Sequence, residues 1–242
     1  MPTGTFYGIG VGPGDPELLT LKAAAVLARC RHVFVPKAKM SADSVALEIA
    51  KRHLGKDAKV HELLFPMLTD REELSRHWAE AAAQIASVLN GGEDACFLTL
   101  GDPLLYSTYI YLLRELKRQL PDVNAVTVPG ITAFCAVAAL TQFPIGEGKQ
   151  PVTIVPTADD LEPVRRAIET GGTVVLMKIG DRLQDILRLL EETGLIEHAV
   201  FVARAGQEAQ QIETDLRKLK QADAKAGYLS IILVHAAERR AR

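Results

Sequence analysis

The chain of 242 residues is poor in cysteine, close to neutral, and without any long apolar run. Its three cysteines, Cys30, Cys96 and Cys135, are odd in number and far apart, each in an apolar stretch. No pair has the spacing of a metal-ligand set or a redox motif, so buried thiols in a reducing compartment are expected. The six histidines, His32, His53, His61, His77, His198 and His235, show no ligand spacing either, and no protein-held metal is expected. The net charge of -2 excludes a global basic field that recruits nucleic acid or an anionic membrane. An anionic ligand therefore has to meet a local basic patch. No window of about 18 uninterrupted apolar residues occurs, which argues against a membrane span. The first residues lack a basic stretch followed by a long apolar one, so a cytoplasmic protein is expected. There is no internal repeat and no low-complexity segment, and only the ends, Met1–Gly4 and Glu238–Arg242, are expected to fray.

What is present is an ordinary globular composition, 48% hydrophobic and 24% charged. Short apolar runs at Phe6–Val11, Val33–Val35, Val60–Leu64 and Cys96–Leu100 alternate with helical periods. One such period runs from Asp70, with Glu73 as a capping-box partner, to Asn90-Gly91-Gly92, and another spans Ser107–Leu120. This alternation predicts a mainly parallel sheet covered by helices. Pro121-Asp122 breaks the chain, and a second series follows. It has strands at Ala125–Val128, Val152–Val155 and Val174–Met177, helices near Thr132–Leu140 and Leu161–Glu169, and a helix capped by Asp181 and closed by Gly194. The last strands, near Ala199–Ala203, Gln210–Thr214 and Leu229–His235, have little helix between them, so antiparallel pairing is expected there. The reading is two α/β domains, 1–120 with a mainly parallel sheet and 121–242 with a mixed one.

Five segments at predicted strand ends carry candidate chemistry. Gly8-Ile9-Gly10-Val11-Gly12-Pro13-Gly14-Asp15-Pro16 allows a sharp turn and close approach to a ligand. It is not a dinucleotide fingerprint, because the third glycine position falls on Pro13 or Asp15, and no Gly-Lys-Ser/Thr follows to make a P-loop. A purely structural turn is the competing reading. Leu100-Gly101-Asp102-Pro103 ends a buried strand, which places Asp102 where ligands bind in open parallel sheets, although Asp before Pro also suits a plain turn. Val128-Pro129-Gly130-Ile131-Thr132 leads into a helix that Thr132 is equally able to cap. Met177-Lys178-Ile179-Gly180 and Ala203-Arg204-Ala205-Gly206 follow two further strands; Met177 also suits a core and Arg204 a solvated surface.

In their order, Gly10–Ala23, Gly101–Pro103 and Pro129–Thr132 resemble the tetrapyrrole (corrin/porphyrin) methylase family over nearly the whole chain. Within that family, the segment Gly101–Tyr109, Met177-Lys178-Ile179-Gly180 and Gly146-Glu147-Gly148 resemble the enzymes that methylate carbon 20 of precorrin-2 or cobalt-factor II in cobalamin biosynthesis. The resemblance implies two α/β domains with S-adenosylmethionine in the cleft between them, S-adenosylhomocysteine as product, a tetrapyrrole substrate and a homodimer. The implied cofactor contacts are Pro13, Gly101, Asp102, Leu105, Thr132, Ala133, Met177, Ala205, Leu229 and Ser230. The chain departs from siroheme-type members at Ala205-Gly206 and at Tyr228-Leu229-Ser230. Asp102, Lys178 and Tyr228 are the candidates for acting on the acceptor, ahead of Tyr106 and His235, and Lys37, Lys39, Arg182 and Arg204 for pairing with its carboxylates. Family members acting on siroheme precursors, on other corrin positions, on diphthine or on ribosomal RNA are the alternatives, as is a non-catalytic cofactor-binding module; the near-neutral charge disfavours the RNA reading.

Overall fold

The computed structural model describes residues 3–37, 44–65, 70–157 and 160–236. Lys39 and the segment Glu238–Arg242 lie outside the described residues. The chain divides into two compact units, Met1–Thr132 and Ala133–Arg242.

In the first unit the apolar runs form five strands in one sheet. The elements are β1 (Thr5–Gly10), α1 (Leu21–Arg29), β2 (His32–Lys37), α2 (Val45–Ala50), β3 (Lys59–Leu64), α3 (Arg71–Asn90), β4 (Ala95–Thr99), α4 (Tyr109–Gln119) and β5 (Asn124–Val128). The sheet order is β3-β2-β4-β1-β5, and every pairing is parallel. Period-two alternation sends Ile9, Val33, Val35, Cys96 and Leu98 to the face covered by α1 and α2. Phe6, Phe34, Ala95 and Phe97 go to the face covered by α3 and α4. The run Ala125–Val128, expected to open the second series, instead pairs with β1 and completes this sheet. Gly4, expected to fray, donates its N–H to Leu89 O at 2.8 Å. Asp70 caps α3 through Oδ1, which accepts from Glu72 N at 2.8 Å and Glu73 N at 3.3 Å.

The second unit comprises α5 (Ala133–Thr141), β6 (Val152–Pro156), α6 (Glu162–Thr170), β7 (Thr173–Met177), α7 (Leu183–Glu192), β8 (Ala199–Ala203), β9 (Gln211–Glu213) and β10 (Ser230–His235). Its sheet, β6-β7-β10-β8-β9, is mixed: β6 and β7 are parallel, and β10 runs against both β7 and β8. Val174, Leu176, Phe201 and Ile232 pack beneath α6 and α7, while Val175, Val202, Ile231 and Leu233 face α5. Asp181 does not cap α7. It lies in the 3-10 turn Gly180–Arg182, and the helix begins without a side-chain cap. Gly194 does close α7, with φ +71°.

Cys30 and Cys96 are buried, but Cys135 is exposed on α5. The hydrogen bond that the Cys96 thiol gives to Cys30, reinforced by burial, holds Cys96 well above its ordinary range.

At the amino edge of the first sheet, His32 Nδ1 stands 3.0 Å from His61 Nε2, and His32 Nε2 stands 3.1 Å from Glu93 Oε2. The His61 ring stacks on Phe34, with centroids 4.6 Å apart. Burial, then the charges of His32 and Lys59, hold His61 below its ordinary pKa of 6.5. The folded state therefore takes up this proton less readily than the unfolded one. Stability is full above pH 6.5 and declines as the pH falls from there towards the folded-state value. Thermal unfolding followed across this range is expected to show that slope, and His61→Gln to flatten it; an unchanged slope in the variant contradicts the assignment.

Candidate functional site

The strand order makes the carboxyl edge of the first sheet a candidate ligand site. The connections leaving β1 and β2 run through α1 and α2 on one face, and those leaving β3 and β4 run through α3 and α4 on the other. The neighbours β4 and β1 thus send their chains to opposite faces, as β2 does with both of its neighbours, so the carboxyl ends of β4 and β1 are one of the places on this edge where open α/β sheets bind ligands.

Glycine backbone fills that edge. Gly12 N donates to Gly101 O at 3.3 Å, and Gly101 N donates to Gly12 O at 2.7 Å, joining the two loops in a short antiparallel bridge. A Cβ on Gly130 would lie 2.1 Å from Gly101 O and 2.8 Å from Gly10 Cα, and one on Gly10 would lie 2.6 Å from Gly130 N. The loops after β1, β4 and β5 therefore meet main chain to main chain. Gly101 differs from the other two. Its φ of +70° demands glycine, yet a Cβ there would meet nothing within 4 Å. At Gly101 it is the backbone conformation that favours glycine, and the space beside it is open.

Asp102 staples the junction. Its Oδ1 accepts from Leu104 N at 2.9 Å, and its Oδ2 accepts from Gly130 N at 3.1 Å. Beneath the loop, buried Thr99 Oγ1 and Ser107 Oγ stand 2.8 Å apart, and Ser107 Oγ accepts from Tyr109 N at 3.1 Å. Nothing in the sequence signalled that pair except two polar residues closing an apolar run. Pro13 is buried in the loop after β1 and Leu105 is half-buried. Asp15 and Thr20 serve as local caps, accepting from Glu17 N at 2.8 Å and Ala23 N at 3.2 Å. Thr132 caps nothing: its Oγ1 is buried and has no hydrogen-bond partner among the described residues. A buried hydroxyl without a partner costs about 1–3 kcal/mol, so Thr132 Oγ1 is a candidate to meet water or a polar ligand group.

In the second unit, the ends of β7 and β8 and the start of β10 share one edge, because Ser230 pairs with Ala203 and Ile232 with Leu176. This gathers Met177, Lys178, Ala205, Tyr228, Leu229 and Ser230. Arg204 N donates to Leu229 O at 2.9 Å. A Cβ on Gly227 would strike Gly180 O, so the loops after β7 and before β10 are also in backbone contact. Ser230 Oγ is engaged with Gly227 O at 2.7 Å, Ala205 is buried, and Tyr228 is exposed. Ala133 opens α5. His235 lies elsewhere. It pairs with Thr173 at the opposite edge of the sheet, its ring stacked on Phe143, so it does not belong with the acceptor candidates. Two of the cations proposed for carboxylates are already paired, Lys37 with Glu62 at 2.8 Å and Arg182 with Asp185 at 3.1 Å. Among the described residues, no three His, Cys, Asp or Glu side chains gather to hold a metal ion.

The sequence profile of the tetrapyrrole (corrin/porphyrin) methylases matches residues 5–220. The chain belongs to this family. Among methylases, it is 32% identical over 232 residues to the cobalt-precorrin-2 C(20)-methyltransferase of Salmonella typhimurium, covering 96% of each chain. It is 37% identical over 201 residues to the probable cobalt-precorrin-2 C(20)-methyltransferase of Methanocaldococcus jannaschii, covering 81% of this chain and 83% of the relative. In fold it resembles the uroporphyrin-III C-methyl transferase of Thermus thermophilus complexed with S-adenyl homocysteine. That comparison has a TM-score of 0.65 and 22% identity, and covers 98% of this chain and 100% of the other. The methylase motifs read in the sequence thus fall on the glycine junction of the first unit and on the shared strand edge of the second.

The junction makes a ranking testable. Gly130→Ala forces a Cβ into main chain and is expected to lower stability by about 3 kcal/mol or more. Gly101→Ala meets only the penalty of a left-handed alanine, about 1–2 kcal/mol. Denaturant titration of both variants checks the order, and equal losses contradict it.

Proposed function

We propose that this methylase transfers a methyl group from S-adenosylmethionine to carbon 20 of precorrin-2 or cobalt-factor II in cobalamin biosynthesis, with S-adenosylhomocysteine as product. The observation that carries the reading is the junction of Gly10, Gly101 and Gly130 at the carboxyl edge of the first sheet, in a chain 32% identical over 232 residues to a carbon-20 methyltransferase. The residues present fit the cofactor. Gly101 offers bare main chain beside open space, and Thr132 Oγ1 offers an unused buried hydroxyl. The proposed contacts in the first unit are Pro13, Gly101, Asp102, Leu105 and Thr132. In the second unit they are Ala133, Met177, Ala205, Leu229 and Ser230.

When bound, the cofactor supplies an electrophilic methyl carbon on a sulfonium. The chain's own part is to bind and orient, since alignment of two reactants contributes up to about 7–11 kcal/mol at the ideal limit. Asp102, Lys178 and Tyr228 are proposed to act on the acceptor. Asp102 has each oxygen already fixed by one backbone N–H and keeps lone pairs for a further donor. Lys178 and Tyr228 stand beside strand ends on one edge of the second sheet, Tyr228 exposed. Loss of the proton from the acceptor carbon needs a modest base or water near it. A cobalt ion, where present, travels in the substrate. The same reading carries a cytoplasmic homodimer. The large apolar side chains exposed at Leu21, Leu104 and Tyr111 are available to a second copy, and no helix among the described residues is long and apolar enough to cross a membrane.

Incubation with S-adenosylmethionine and, in parallel, metal-free precorrin-2, cobalt-factor II, uroporphyrinogen III, ribosomal RNA and a protein acceptor tests the reading. Methylation of one of the first two supports it, and methylation of any other acceptor, or of none, overturns it. Asp102→Asn sharpens the test. The amide can accept from Leu104 N or Gly130 N but presents its own donor to the other. Turnover is expected to fall at least about tenfold, roughly 1.4 kcal/mol at the transition state. A wild-type rate makes Asp102 an ordinary turn residue.

A further inference from the structure

Five non-glycine residues among those described adopt a positive φ: Tyr106, Gln142, Lys178, Arg204 and Leu229. L-residues avoid this region, and its occupants concentrate where structure is held for function. Gln142 has a local reason. It follows α5, and Phe143 N donates to Ala138 O at 3.0 Å, the usual closure of a helix through a left-handed residue. Leu229 sits just beyond the 3-10 turn Ala224–Gly227. Lys178 and Arg204 end no helix. They directly follow β7 and β8, at φ 57° and 50° respectively, where glycine would turn the chain without strain.

Both are also unspent cations. Neither has an acidic partner among the described residues, whereas Lys37 and Arg182 are tied to Glu62 and Asp185. Their placement is fixed by the sheet. β10 lies between β7 and β8, so Lys178 and Arg204 stand two inter-strand spacings apart, roughly 10 Å. The bond from Arg204 N to Leu229 O locks one side of the edge, and the Gly180–Gly227 backbone contact locks the other.

We propose that Lys178 and Arg204 form a two-pronged cationic edge that reads a pair of carboxylates on a polycarboxylate acceptor, and that their left-handed backbone is retained to present the two side chains. This rests on the methyl-transfer reading above, since a reduced tetrapyrrole carries acetate and propionate groups around its ring. Charge-assisted bonds to such groups favour two fixed cations over one, and set which way round the macrocycle lies.

The test compares Lys178→Ala, Lys178→Gly, Arg204→Ala and Arg204→Gly, with Gln142→Gly as the control for strain relief away from the edge. Alanine removes the side chain and keeps the strain, while glycine removes both. Each glycine variant is expected to unfold at a higher temperature than the alanine variant at the same position. All four are expected to lose about tenfold or more in kcat/KM, chiefly through KM for the acceptor, with affinity for S-adenosylhomocysteine within a few-fold of wild type. Gln142→Gly keeps wild-type turnover. Calorimetric binding of uroporphyrin, a porphyrin with acetate and propionate side chains, gives a readout independent of turnover. Wild-type affinity is expected to fall with salt, and the Lys178→Ala/Arg204→Ala double variant to bind more weakly with a flatter salt dependence. Absence of methyl transfer by the wild type overturns the functional reading, and the uroporphyrin titration still decides the proposal about the pair. Wild-type KM in the four variants, uroporphyrin affinity unchanged in the double variant, or glycine variants no more stable than alanine ones overturns that proposal.

Discussion

Three peptide backbones share a space that a single methyl group would fill. Gly10 ends β1, Gly101 and Gly130 lie in the loops after its neighbours β4 and β5, and their close approach is the constraint on which the rest of that edge depends. Because no side chain intervenes, the Gly12–Gly101 bridge can form, Asp102 can reach Gly130 N, and Gly101 can take its left-handed φ with open space beside it. A polar, backbone-lined surface at a switch point suits a ligand recognised by main-chain groups. The buried hydroxyl of Thr132, without a partner among the described residues, is a further group that native interiors rarely leave unsatisfied.

The second unit solves its problem differently. Its edge is built from the ends of antiparallel neighbours, which brings the start of β10 between the ends of β7 and β8. Glycine is used at Gly180 and Gly227, where backbones touch, but lysine and arginine occupy left-handed positions beside them. The first unit thus offers bare main chain and the second offers side chains.

Much of this was legible in the sequence because it is local. Alternating β-branched and apolar runs marked the strands, Asp70 marked the start of α3, and glycine and proline marked the loops that became the glycine junction. What failed was partly non-local and partly a matter of competing local geometry. The strand Ala125–Val128 follows a Pro-Asp break and reads as the start of a new domain, yet its membership is decided by pairing with β1, more than a hundred residues earlier in the chain. Asp181 looks like a cap, but Gly180 turns the chain into a 3-10 segment first. Thr132 looks like a cap, but its hydroxyl is unused. His235 seemed near the site because it ends a strand, and the antiparallel direction of β10 carries it to the far edge. Lys37 and Arg182 looked available to a ligand, and ion pairs occupy them. The Thr99–Ser107 bond left no mark on the sequence, since its partners are separated by the very loop they support.

The central claim is that the glycine junction is a cofactor cradle rather than a structural turn. Calorimetric titration of S-adenosylhomocysteine into the wild type and into folded Gly101→Ala tests it most directly, because the added methyl group points into the open space that the ligand is argued to use. The account predicts a single binding event in the wild type and a loss of about tenfold or more, roughly 1.4 kcal/mol, in the variant. Equal affinity in a folded Gly101→Ala, or no binding by the wild type at millimolar ligand, contradicts it.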